Sequence, residues 1–270
     1  MARTRIHTMN NIDSLAALLS EIHLHTEEKP FSSSFAPIKE LVGEYVENTV
    51  HDALLVIVHG SAVKGNMSKF SDIDIIIVRK NFNAIRKHIS QYRGYCLDVI
   101  ETGATHIEGL LDNARLSGEN WIVSALAQGE VVWDKWDRTL TIRKIATSLL
   151  HVGPDAPSKQ QINILRSSVT GLVSQLCRSN SAEHTLMIGL TLFTPLTSLL
   201  LKQQQSFTHR GKHLANHLET VAPTINNRMR NAYAQLLLNE PKELALLAHD
   251  ILQPVGGWLL VGFENSTELD

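Results

Sequence analysis

Two apolar runs of strand length, residues 54–58 and 73–78, constrain this chain more than any other feature of its sequence. Both read as strands covered on two faces rather than one. The first closes on His59-Gly60-Ser61, and the second is opened by Asp72 and broken by Asp74. A carboxylate set into a run fit for burial needs a reason, because a lone buried anion costs several kcal/mol.

The rest of the chain supplies helices around these strands. Residues 10–26 are expected to form a helix capped by Asp13 or Ser14, with Leu15, Leu18, Leu19 and Ile22 on one face. Pro37 suits the first turn of a second helix, in which Ile38, Leu41, Val42, Tyr45 and Val46 recur at helical spacing. Residues 82–89 read as a helix with a basic outer face, and 95–100 as a third strand behind Gly94. Two helices are expected over 106–116 and 120–128, an edge strand over 131–133 and a helix over 136–150. The stretch 151–159, HVGPDAPSK, holds two prolines and a glycine and reads as a linker. Everything after it reads as helix, with Pro223 and Pro241 where helices would start. The expected organisation is an α/β domain over 1–150 and an all-α domain over 151–270.

On a strand, Asp72 and Asp74 point the same way, with Ile73 and Ile75 turned into the core. Two anions side by side repel, so one is protonated or a cation bridges them. Oxygen ligands of this kind suit Mg²⁺, which often takes its remaining ligands from a nucleotide's phosphates. The plain alternative is an acidic pair at a solvent edge. Gly60-Ser61 argues for the ion, since a glycine at a strand end admits close backbone approach and exposed N–H groups can hold phosphate oxygens. Asp98, in YCLDVI, is the third element. If its strand lies beside the one carrying Asp72 and Asp74, three carboxylates converge, as in-line phosphoryl or nucleotidyl transfer requires. Glu101 is a rival, but on a regular strand it faces away from Asp98.

Gly60-Ser61, ten intervening residues and then Asp72-Ile73-Asp74 in strand-like flanks resemble the signature of the nucleotidyltransferase superfamily. Asp98 is similar to its third carboxylate, and the resemblance covers roughly residues 36–135. Within the superfamily the chain looks most like aminoglycoside adenylyltransferases, partly through the stretch at 211–237. The resemblance implies a mixed sheet with flanking helices followed by a helical bundle. It implies transfer of AMP from ATP to a hydroxyl of a small molecule. Asp72, Asp74 and Asp98 would hold Mg²⁺, with Asp98 otherwise activating the acceptor hydroxyl. Gly60 and Ser61 would contact the triphosphate, with Lys64 and Ser71 beside them. Lys64 and Lys69 are either phosphate contacts or solvated loop lysines. Where many of those enzymes carry Glu at the third position, this chain has the shorter Asp98. Related toxin-like enzymes modify RNA or protein instead, and a non-catalytic nucleotide-binding module would keep the same fold.

Composition excludes other classes. With 43% apolar and 19% charged residues, disorder is excluded. A net charge of −2 gives no bulk attraction for nucleic acid. The apolar segment 188–201 is interrupted by Thr191, Thr194, Pro195, Thr197 and Ser198, and reads as a buried helix, not a membrane span. Cys96 and Cys177 have no metal or redox spacing, which fits a reduced, cytoplasmic protein. His209, His213 and His217 are spaced by four and could line one helix face, as a polar surface or part of a zinc site. Trp121, Trp133 and Trp136 are expected in packing rather than in a stacking platform.

Overall fold

The two apolar runs form the middle of a five-stranded mixed sheet in a computed structural model that describes residues 35–65, 67 and 71–264. The helix expected over 10–26 and Lys69 lie outside the described residues. The first described helix, α1 (Phe35–Thr49), buries Ile38, Leu41, Val42, Tyr45 and Val46, the face expected from their spacing. Then follow β1 (Ala53–His59), β2 (Ile73–Arg79), β3 (Ile85–Tyr92) and β4 (Tyr95–Gly103). After a short 3₁₀ turn come α2 (Ile107–Ser117), α3 (Trp121–Gln128), β5 (Glu130–Asp134) and α4 (Thr139–Val152).

The spatial order is β3-β4-β2-β1-β5. β2 and β4 run parallel, and the other neighbouring pairs are antiparallel. One sheet face packs Ile73, Ile75, Leu97 and Val99 against α1. On the other face Leu55, Ile57 and Ile76 are also fully buried, so the central strands are covered on both sides. Each such side chain contributes roughly 1.5–3 kcal/mol by leaving water. This covering explains why neither central run alternates.

The helix expected over 82–89 is a strand. Arg93 (φ 47°) and Gly94 (φ 79°) both take left-handed backbone between the paired Tyr92 and Tyr95. That is the geometry of a tight two-residue hairpin turn, and it folds 85–92 back as the sheet's edge. Good helix formers such as Arg86 and Lys87 lose to hairpin pairing, a tertiary override of local propensity. On the covered side the Tyr45 hydroxyl donates to Ser90 Oγ at 3.3 Å and packs edge-on against Tyr92.

Two compact units divide the chain. The described part of the first comprises residues 35–65, 67, 71–108 and 125–144 and contains the sheet. That of the second comprises 109–124 and 145–264. In the second, Thr208 N–H donates to the Gly118 carbonyl at 2.7 Å and Lys202 Nζ to the Ser117 carbonyl at 3.2 Å. These bonds tie 109–124 to the helices α5 (Lys159–Arg178), α6 (Ala182–Gln203), α7 (Lys212–Val221), α8 (Pro223–Leu237) and α9 (Lys242–Leu252). Ser158 and Gln161 form a reciprocal capping box at the start of α5, a device contributing about 1 kcal/mol. Pro223 occupies the first turn of α8, and Pro241 directly precedes α9. α6 is long and apolar enough to cross a bilayer, yet Leu192, Leu196, Leu199 and Leu200 sit in the core of the helical unit. The chain thus adopts the expected fold class, a mixed sheet with flanking helices followed by an all-helical part.

Candidate active site

Asp74 and Asp98 stand opposite one another in the parallel β2–β4 ladder. Asp72 lies two residues before Asp74, on the same side. One carboxylate oxygen of each of these three residues lies within 4.8 Å of the others. At such spacing like charges repel, and the repulsion is weakened by water where Asp72 is exposed. The cluster therefore has a strong demand for positive charge. Asp98 meets it in part: its Oδ2 accepts from Lys87 Nζ at 2.7 Å. Its Oδ1 is buried and has no hydrogen-bond partner among the described residues. That hydrogen bond raises the Lys87 pKa against the opposing effect of burial, and the charges of Asp98, Asp74 and Asp72 add to it.

Gly60 is what lets β1 end beside these carboxylates. Its φ of 73° is left-handed, and a Cβ built there would collide with Asp74 Oδ2. A side chain is excluded twice over, by conformation and by space. Ser61 and Lys64 follow in the turn, Ser61 half-buried and Lys64 exposed. Ser71 is half-buried just before Asp72. His59 faces Asp74 across the β1–β2 ladder. Burial pushes its pKa down to about 4, against the raising field of Asp98 and with help from the Lys64 charge. The imidazole is therefore neutral at neutral pH and adds no cation to the cluster.

Glu101 is placed elsewhere. It lies three residues beyond Asp98 on the opposite face of β4, only 1% exposed, and is gripped by Arg79 (2.7 Å) and Arg86. Burial alone would raise its pKa, but the hydrogen bonds from Arg86 and Arg79 outweigh that and hold it below the usual range. Arg79 also bonds Asp52 at 2.7 Å, which makes this a structural brace across β2 and β4. Of the two candidates for the third carboxylate, Asp98 is the one beside Asp72 and Asp74.

Lys87 is a site residue that the sequence does not mark directly, and His59, which ends the first apolar run, carries no role on sequence grounds. A signal for Lys87 exists: placing the hairpin turn at Arg93-Gly94 fixes the register back to Ile89↔Asp98, which sets Lys87 diagonally across from Asp98. The histidine series is only partly on one helix. His213 and His217 lie on α7, whereas His209 precedes it. The His209 and His217 rings lie 4.2 Å apart, and His217 Nε2 is 2.6 Å from Ser206 Oγ. Among the described residues, the three aspartates are the one group of three or more His, Cys, Asp or Glu ligands gathered this closely. Trp136 is buried and Trp133 Nε1 donates to the Ala53 carbonyl at 3.2 Å, both in packing roles.

Residues 38–114 match the nucleotidyltransferase domain family. Among solved structures, a nucleotidyltransferase-like protein from Exiguobacterium sibiricum is similar at a TM-score of 0.48 and 9% identity, over 80% of this chain and 75% of that one. A comparison with curated proteins gives no match. The matched segment runs from α1 into α2, so the Gly60 turn, Lys87 and all three aspartates fall inside the stretch that matches this family.

Proposed function

We propose that this chain is a Mg²⁺-dependent nucleotidyltransferase that moves a nucleoside monophosphate, AMP from ATP, onto a hydroxyl of a small molecule such as an aminoglycoside. The observation that carries the reading is the convergence of Asp72, Asp74 and Asp98 within 4.8 Å beside the Gly60 turn. The donor set fits a hard divalent ion: three carboxylates from neighbouring backbone positions, and a buried Asp98 Oδ1 that lacks a partner among the described residues. When bound, such an ion neutralises triphosphate charge and stabilises the leaving pyrophosphate oxygen.

Asp72, Asp74 and Asp98 would hold the ion. The turn at Gly60 and Ser61 would present backbone N–H groups and a hydroxyl to the phosphates, with Lys64 and Ser71 close by in sequence. Asp98 would complete the ligand set or take the proton of the acceptor hydroxyl, with the unpartnered Oδ1 as the receiving atom. Neutral His59 would leave the carboxylate charge intact for the ion. A small acceptor, rather than nucleic acid or a membrane, agrees with the near-neutral chain, and a cytoplasmic location belongs to the same proposal.

The test is incubation of the protein with Mg²⁺, ATP labelled at the α-phosphate, and the small-molecule and macromolecular fractions of a lysate. Label in small molecules is the expected result. Label in RNA or protein would move the reading to a macromolecular acceptor. ATP binding without pyrophosphate release would leave only a nucleotide-binding module.

A further inference from the structure

The three aspartates already have a cation beside them, and it is built unlike the others in the sheet. Lys87 Nζ reaches Asp98 Oδ2 at 2.7 Å, but the lysine side chain is 62% exposed. It stands on β3, the outermost strand, and its same-face neighbours Ile85 and Ile89 are also exposed. The stem is largely exposed, and its four-carbon chain can carry the ammonium out to water. On the other face, Arg79 and Arg86 hold a carboxylate that is 1% exposed and has no such exit.

We propose that Lys87 is a resident counter-cation of the aspartate cluster, which a divalent ion must displace from Asp98, so that this lysine sets the metal concentration at which the site fills. The proposal rests on the metal reading above and adds a regulator to it. A single ammonium can satisfy one carboxylate oxygen closely, whereas a divalent ion offers two charges to three carboxylates. The lysine therefore offsets part of the like-charge repulsion while the site waits. Because the lysine end of the pair is largely exposed, water can take over its ammonium when a divalent ion claims Asp98. No bond is made or broken in the exchange.

The experiment compares the 270-residue chain with its Lys87→Met and Lys87→Arg variants, each freed of metal and titrated with Mn²⁺ alone. Free Mn²⁺ is followed by electron paramagnetic resonance, without nucleotide. Loss of the competing charge in Lys87→Met should tighten Mn²⁺ binding about fivefold, near the limit for an exposed ion pair. Lys87→Arg, which keeps the charge, should bind like the parent. The metal-free Lys87→Met protein should melt below the parent, with the gap closing at saturating Mn²⁺. Equal or weaker Mn²⁺ binding by Lys87→Met, with the parent binding well, overturns the role of Lys87 and leaves the metal site standing. Absence of Mn²⁺ binding in both proteins overturns the metal reading itself, and the inference with it.

Discussion

Asp98 and Glu101 lie three residues apart on β4, and the sheet puts them to opposite uses. Glu101, on the face covered by α1, is saturated by two guanidinium groups that also brace the neighbouring strands. Asp98, on the other face, has one oxygen on an exposed lysine, the other without a partner among the described residues, and two more carboxylates within 4.8 Å. Either residue could be read from sequence as an acid buried in a strand. The distinction lies in the charge balance around each. An anion with its full complement of fixed donors holds structure together. An anion left short of donors among other anions has been kept at a cost in stability, and such a cost is characteristic of functional sites.

The largest expected effect breaks the comparison on the Asp98 side. Asp74→Asn should lower nucleotidyl transfer at least about 10²–10³-fold, the loss typical when one group supporting developing charge is removed. Transfer by the folded variant at the parent's rate would remove the cluster from the chemistry. Glu101→Gln should do the reverse. It strands two arginines around a neutral amide and should cost about 3 kcal/mol of stability in urea unfolding, with kcat of the folded protein unchanged.

The same pair predicts a pH dependence. The folded Glu101 carboxyl is held below its ordinary value of 4.5, so the unfolded chain binds that proton more readily. The stabilisation is complete above the ordinary value and drains away as pH falls through the lower, folded one. The stability gap between the parent and Glu101→Gln should therefore be widest near neutral pH and narrow in acid. A gap that stays constant down to pH 3 would deny Glu101 its charge-paired role.

Much of this contrast was legible in the sequence, because periodicity on a strand is strict. The two-residue step from Asp72 to Asp74 put both acids on one face, and the three-residue step from Asp98 to Glu101 put those two on opposite faces. Uninterrupted apolar runs gave β1 and β2, and helical spacing gave α1. The edge strand β3 was misread because Arg86, Lys87 and Ala84 favour helix locally, while the hairpin that decides their fate depends on left-handed backbone at Arg93, an uncommon residue there. With β3 went Lys87, which reaches the site only through the hairpin register. The arginine clamp on Glu101 was hidden for a related reason: Arg79 and Arg86 come from two different strands, and their convergence needs the order β3-β4-β2.

Gly60 tests whether the site's geometry, rather than its charge alone, matters. Gly60→Ala forces an L-residue into left-handed backbone, at about 1–2 kcal/mol, and drives a methyl into Asp74 Oδ2. Stability should fall by about that amount, with activity falling further because Asp74 must move. If thermal unfolding and transfer are both unchanged, the turn does not hold the carboxylate as described.

The smallest effect is the most discriminating, because its sign differs between the two faces. Asp72 is exposed and lies in the like-charged cluster, so neutralising it removes repulsion without stranding any buried partner. In metal-free buffer Asp72→Asn should therefore raise the melting temperature, by about a degree or two for a like-charge contact in a chain of this size. Added salt screens the repulsion and should shrink the gain. Added Mg²⁺ should reverse it, since the parent then gains a ligand-bound state that the variant binds less well. Glu101→Gln should show none of this: it loses stability with or without Mg²⁺, and Mg²⁺ should raise its melting temperature as much as it raises the parent's. A loss of stability in metal-free Asp72→Asn would mean that the acid is satisfied by protein groups, as Glu101 is, and that the cluster does not wait for an ion.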